Sequence, residues 1–174
     1  LDQFKAKDII DQVYNAIKQN TVLSLNSELY IMKELSPGER RTLVELHLIS
    51  PDLASSKNGA VIINQSENIS IMINEEDHLR IQTVFSGLQP EQAYDLASKV
   101  DDILEDNLDY AFNEKIGYLT SCPTNVGTGL RASLMMHLPV LTMTKQMGQI
   151  FSTISQLGLV VRGLYGEGTQ AMGN

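Results

Sequence analysis

Ile69, Ile71 and Ile73 alternate with Ser70, Met72 and Asn74, and this run breaks directly into a block of charge, Glu75-Glu76-Asp77-His78. A period of two apolar residues marks a strand with one face buried. Beyond the block, Leu79, Ile81, Thr83 and Phe85 alternate with Arg80, Gln82 and Val84. The spacing predicts two strands, 69–73 and 79–85, joined by an acidic turn. Three adjacent carboxylates repel one another, so a fold keeps them together either in open water or around a cation. Arg80, Arg131 and Arg162 each lie within an apolar run. A guanidinium among strand residues needs an anionic partner, because burying it unpaired is very costly. Carboxylates at one place and strand-borne arginines at three suggest a site that holds a cation beside a polyanion.

The remaining elements are consistent with a mixed fold. Phe4, Ile9, Ile10, Val13 and Ile17 have helical spacing. Residues 29–32 and 59–63 read as strands, the second facing 69–73 across a turn at 64–68. Ser36-Pro37-Gly38-Glu39 is a capping box with proline at the first helical position. The helix it opens is expected to carry Leu43, Val44, Leu46, His47 and Leu48, and Pro51 to Asn58 to be a polar loop. A long helix starts at Pro90. Leu130 to Leu138 reads as a strand, Pro139 to Gly158 as a third long helix, and Leu159 to Leu164 as a final strand. Strand pairs mixed with helices predict one α+β domain over residues 1–174, with a mainly antiparallel sheet flanked by helices.

At 174 residues the chain can bury a real core, and its formal charge of −8 argues against nonspecific nucleic-acid binding. No apolar run approaches the roughly 18–20 residues that span a bilayer, so no membrane partner is expected. One cysteine allows no internal disulfide and fits a reducing cytoplasm.

Two further segments carry chemistry. Cys122-Pro123-Thr124-Asn125-Val126-Gly127-Thr128-Gly129-Leu130-Arg131 is small, hydroxylated and glycine-rich, so its backbone can approach a ligand closely. No Gly-Lys-Ser/Thr follows, so it is not a Walker loop. Its cysteine reads either as a small buried hydrophobe or as a thiolate favoured by hydroxyls and Arg131. Arg162-Gly163-Leu164-Tyr165-Gly166-Glu167-Gly168 is a surface turn or a mobile loop holding a carboxylate. His47 reads, alone, as a core histidine, and Met135 and Met136 as core or strand packing.

Taken together and in this order, the segments resemble the catalytic domain of the ATP:guanidino phosphotransferases, the phosphagen kinase family. Asn74-Glu75-Glu76-Asp77-His78 is similar to the family's acidic signature, the Cys122 segment to its reactive-cysteine motif, and Arg162-Gly163 with Gly166-Glu167 to its phosphate loop. Glu45-Leu46-His47-Leu48-Ile49-Ser50-Pro51 and Arg131-Ala132-Ser133-Leu134-Met135-Met136-His137-Leu138-Pro139 look like the bacterial protein-arginine kinase branch. Phosphagen kinases usually carry histidine where Met135 stands, which favours that branch.

The resemblance implies a glutamine-synthetase-like catalytic domain, truncated at both ends. Further phosphate-binding arginines are expected upstream of Leu1 and another domain downstream of Asn174, so that this stretch alone would turn over weakly or not at all. It implies ATP and Mg2+ as cofactors, with no metal ligand from the protein. Glu76 would hold a guanidinium and act as base, Glu167 would grip its second edge, and Cys122 as thiolate would steer it. Arg80, Arg131 and Arg162 would clamp phosphates. His47, Ala132, Ser133, Leu134, Met135, Gly163, Leu164, Tyr165 and Gly166 would line the nucleotide. The implied reaction is phosphorylation of arginine side chains in proteins, a heat-shock repressor among them, marking them for degradation under stress. A small-guanidine kinase and a non-catalytic partner-binding module are the alternative readings.

Overall fold

The computed structural model describes residues 2–64, 68–161 and 163. The chain forms two compact units, Leu1–Ala132 and Ser133–Asn174.

The first unit opens with helix α1 (Gln3–Gln19), whose first turn is capped by the Asp2 carboxylate accepting from the Phe4 N–H. A four-residue turn of helix, α2 (Thr21–Ser24), leads to strand β1 (Ser27–Ile31). Helix α3 (Pro37–Glu45) begins in the capping box expected from Ser36 and Glu39: the Ser36 Oγ accepts the Glu39 N–H while the Glu39 carboxylate accepts the Ser36 N–H. Helix α4 (Pro51–Ser55) follows, then strands β2 (Ala60–Asn64), β3 (Ile69–Ile73) and β4 (Leu79–Thr83), helix α5 (Pro90–Glu105) and a small hairpin, β5 (Phe112–Asn113) with β6 (Gly117–Tyr118).

Strands β1 to β4 pair antiparallel in sequence order, with Ile62 opposite Ile71 and Met72 opposite Arg80. Both faces of the sheet are covered, which is why every residue of β2 and β3 is buried. On one face Ala60, Ile62, Ile69, Ile71 and Ile73 pack with Ile10, Val13 and Ile17 of α1 and Val100 and Leu104 of α5. On the other, Val61, Ile63 and Met72 pack with Met32, Ile49 and Leu53. Burying each isoleucine contributes about 1.5–3 kcal/mol. The two buried polar groups of the sheet are satisfied: Asn64 donates to the Leu23 and Leu25 carbonyls, and the Ser70 hydroxyl to the Leu48 carbonyl.

Several expectations are corrected here. Residues 51–58 are not all loop, because Ser50 caps α4 and Pro51 supplies its first turn. Helix α3 stops at Glu45, and His47 adopts a left-handed backbone (φ 57°) that no helix continues through. In the second unit the long helix from Pro139 is two helices, α6 (Pro139–Met143) and α7 (Met147–Gln156), parted at Lys145 (φ 58°). The hydroxyls of Thr142 and Thr144 bond back to the Leu138 and Val140 carbonyls, competing with the helical ladder there. Residues 130–138 and 159–161 are not strands. A strand exists only with a hydrogen-bonded neighbour, and local sequence does not supply one. The turn at 65–67 and the end of the expected last strand, Arg162 and Leu164, lie outside the described residues. Met135 and Met136 are exposed rather than packed. Among the described residues, no helix is long and apolar enough to cross a membrane.

Candidate active site

The acidic turn is the five residues, 74–78, between the end of β3 and the start of β4. Asn74 turns the chain with φ 57°, a conformation asparagine tolerates well. Its N–H donates to the His78 carbonyl (3.1 Å) and the Glu75 N–H to the Asp77 carbonyl (3.1 Å), so the turn closes on itself. The Asn74 amide also reaches the Ala6 carbonyl (3.0 Å), which pins the turn to α1.

The three carboxylates of the turn have three different surroundings. Glu75 points inward: its side chain is only 5% exposed, accepts from the Ser50 hydroxyl at 2.6 Å, and meets Arg80 Nη1 at 3.2 Å from both oxygens. Asp77 accepts the backbone N–H of Ser121 at 2.6 Å. Glu76, between them, is exposed. The repulsion among the three is therefore relieved by splitting them: one is paired with a cation, one is bonded to a backbone amide, and one is left facing solvent.

The Asp77–Ser121 bond joins the acidic turn to the cysteine segment, so that Glu76 and Cys122 are each one residue from a bonded pair. Cys122 is half-buried, and its Sγ lies 2.9 Å from the Thr124 Oγ1. A tight turn follows, with the Asn125 N–H donating to the Cys122 carbonyl at 3.0 Å. The segment is held from behind by the β5–β6 hairpin, where Tyr118 and Gly127 exchange backbone hydrogen bonds (2.9 and 3.3 Å). Gly117 (φ 84°) makes this approach possible, since a Cβ there would lie 2.3 Å from the Gly127 oxygen. The hairpin in turn leans on α5: Tyr110 and Tyr118 donate to Asp101 (3.1 Å) and Glu105 (3.2 Å). Burial, with Asp101 beside it, pushes the Tyr110 hydroxyl far above its ordinary pKa. Burial likewise raises the Asp101 carboxyl.

Of the arginines, Arg80 sits on Glu75 and Arg131 donates from Nη2 to the Asn125 Oδ1 at 2.8 Å. Both are exposed. Arg131 thus braces the cysteine turn through Asn125. His47 is tied to Gln82 of β4, whose amide donates to the His47 carbonyl at 2.6 Å. It lines a depression of about 220 Å³ with Leu46, Leu48, Asn68, Ser70, Gln82, Val84 and Ser86. Ala132 ends the first unit; Ser133, Leu134 and Met135 begin the second and are exposed. Gly163 is half-buried. Arg162, Leu164, Tyr165, Gly166 and Glu167 lie outside the described residues.

Sequence reasoning assigned no task to Ser50, Glu75, Asp77 or Asn125. One signal was available: Ser50-Pro51 repeats the Ser36-Pro37 helix start, which fixes a serine hydroxyl in place beside the sheet. Among the described residues, no group of three or more histidine, cysteine or acidic side chains is arranged to hold a metal ion.

Comparison with known proteins bears on this arrangement. Residues 8–174 match the family "ATP:guanido phosphotransferase, C-terminal catalytic domain". A protein-arginine kinase of Caldanaerobacter subterraneus is 53% identical over 98% of the chain and 51% of its own length. One from Halalkalibacterium halodurans is 56% identical over 98% of the chain and 48% of its own length. The chain thus spans about half the length of these relatives. Among solved structures, the substrate-free duplicated taurocyamine kinase of Schistosoma mansoni superposes with a TM-score of 0.78 at 24% identity, covering 98% of the chain and 25% of that protein; this likeness speaks to the fold.

Proposed function

The chain belongs to the ATP:guanido phosphotransferase family, and from that premise we propose that the protein transfers the γ-phosphoryl group of MgATP to arginine side chains of proteins. Residues 1–174 serve in this reading as one catalytic domain. The acceptor class is supported by the 53% and 56% identical relatives, which are protein-arginine kinases.

The observation that carries the reading is the division of labour in the acidic turn. A guanidinium has a pKa above about 12 and is a poor nucleophile until a proton leaves. Of the three carboxylates Glu76 is the exposed one, while Glu75 and Asp77 are bonded to Ser50 and to the Ser121 amide. A Glu76 oxygen accepts a proton from an arginine Nη. That nitrogen then forms the bond to the γ-phosphorus as the bond to the β,γ-bridging oxygen breaks, with the electron pair leaving on ADP. Magnesium, brought in with the nucleotide, would supply charge stabilisation at the phosphates, and no residue of this chain is assigned to hold it. Cys122, one residue from the Ser121 amide that Asp77 holds, flanks the acceptor; the Thr124 hydroxyl at 2.9 Å can donate to its sulfur as a thiolate. In this reading the phosphates fall to Arg80, Arg131 and Arg162, and Glu167 is assigned as a second carboxylate for the planar guanidinium, which favours bidentate partners. His47, the stretch from Ala132 to Met135 and the stretch from Gly163 to Gly166 border the nucleotide. Catalysis of this kind is mostly positioning and charge stabilisation. A cytoplasmic setting, a role in marking proteins for degradation under stress and a heat-shock repressor among the acceptors complete the reading.

The test is to incubate the full-length protein with ATP and, separately, free arginine and an unfolded acceptor protein, and to search by mass spectrometry for acid-labile phosphate on arginine. Modified protein is expected. Phosphate on free arginine alone overturns the acceptor class, and nucleotide binding with no transfer to either overturns the enzyme. Glu76→Gln keeps the shape and removes the base. Transfer should fall at least ~100-fold, and activity near wild type removes Glu76 from that role.

A further inference from the structure

We propose that Ser50 is a positioning residue for nucleotide phosphate, acting on Arg80 through the carboxylate of Glu75; this rests on the phosphoryl-transfer reading above. The Ser50 hydroxyl has two fixed partners. Its oxygen accepts the Leu53 N–H at 3.0 Å, capping α4. Its proton goes to Glu75 Oε1 at 2.6 Å. A hydroxyl has one proton to give, and here the cap leaves that proton free for the carboxylate.

Glu75 is nearly dry, at 5% side-chain exposure, and a carboxylate so placed needs both a countercharge and hydrogen bonds. Arg80 supplies the countercharge through one nitrogen only: both Glu75 oxygens lie 3.2 Å from Nη1. Its Nε and Nη2 make no hydrogen bond among the described residues, and its side chain is 46% exposed. The guanidinium is therefore held at one corner and open at the other two. A planar fork pinned at one corner has a defined direction, which a free surface arginine lacks.

The anchor is rigid. Leu53 of α4 is fully buried in the second core cluster, and Arg40 Nη1 donates to the Ala54 carbonyl at 3.1 Å. Ser50 also draws part of the Glu75 charge onto its own proton, which leaves more of the Arg80 charge for an incoming polyanion. Without that proton Glu75 leans wholly on Arg80, and the phosphate must compete harder for it.

The experiment uses full-length protein and measures MgATP binding by calorimetry, together with KM for ATP, KM for the acceptor and the melting temperature. Three variants separate the cap from the relay. Ser50→Ala removes both. Ser50→Gly keeps a tolerable cap, at a cost of only a few tenths of a kcal/mol, and cannot donate. Ser50→Thr restores the hydroxyl. MgATP binding should weaken about tenfold in Ser50→Ala and about as much in Ser50→Gly, with the acceptor KM unchanged and Ser50→Thr close to wild type. MgATP affinity within twofold of wild type in Ser50→Gly overturns the proposal, because the cap alone then explains any loss in Ser50→Ala. A wild type that binds MgATP yet phosphorylates nothing sinks the transferase reading and leaves the Ser50 comparison to be read from binding.

Discussion

Replacing Asp77 by alanine removes the acceptor that holds the Ser121 N–H at 2.6 Å and so loosens the cysteine turn from the acidic turn. A hydrogen bond to a charged acceptor contributes about 1.5–3 kcal/mol. Ser121 is exposed, so the lower end applies, and about 1.5 kcal/mol corresponds to a roughly tenfold rise in the detached population. Detachment displaces Cys122 relative to Glu76, and a shift near 1 Å at a reacting centre costs on the order of 100-fold in rate. The detached form then contributes little turnover, and the attached fraction falls by at most the tenfold shift in its equilibrium, so the expected kcat for protein-arginine phosphorylation is reduced about 3- to 10-fold. The melting temperature should drop by less than ~3 °C, because the change frees a surface turn and leaves the sheet core intact. Asp77→Asn keeps a carbonyl oxygen at the same place and should fall between alanine and wild type. The assay is single-turnover transfer from ATP to an arginine-bearing acceptor, run beside the rate of Cys122 alkylation by iodoacetamide. Turnover within twofold of wild type in Asp77→Ala, with unchanged alkylation, refutes the idea that this bond sets the geometry.

Gly117→Ala forces a Cβ to within 2.3 Å of the Gly127 oxygen at φ 84°, so the hairpin must give up its pairing with Gly127. Adding the left-handed penalty to two lost hydrogen bonds costs about 3 kcal/mol locally. Transfer should be lost and Cys122 alkylation accelerated while far-UV circular dichroism stays unchanged; wild-type cysteine reactivity counts against a supporting role for the hairpin. Asp101 offers a pH prediction. Burial raises its folded-state pKa above 3.8, so the folded protein holds the proton more readily than the unfolded chain, and stability declines as pH climbs from that value through the raised one. Asp101→Asn keeps an oxygen to accept from the Tyr110 hydroxyl and should therefore melt higher than wild type at pH 7, with the advantage shrinking as pH approaches 3.8. A variant that melts lower at neutral pH shows that the charge is needed there.

Alternation at 69–73 and 79–83, the capping box at Ser36 and the long helix from Pro90 are all readable from the chain because each depends on neighbours within a few residues. So is the order of the acidic, cysteine and glycine-rich segments, and with it the family. That residues 130–138 find no partner strand is not readable in this way, since a strand needs a partner that its own residues do not name. The same holds for the site. Glu75, Glu76 and Asp77 are near-identical as sequence, and nothing local says which is buried, which is free and which is bonded. The answer comes from Ser50, 25 residues away from Glu75, and from the Ser121 amide, 44 residues away from Asp77. Local periodicity decides which residues form strands and helices; the tasks of three like charges are decided only when folding brings distant donors to within hydrogen-bond reach of two of them.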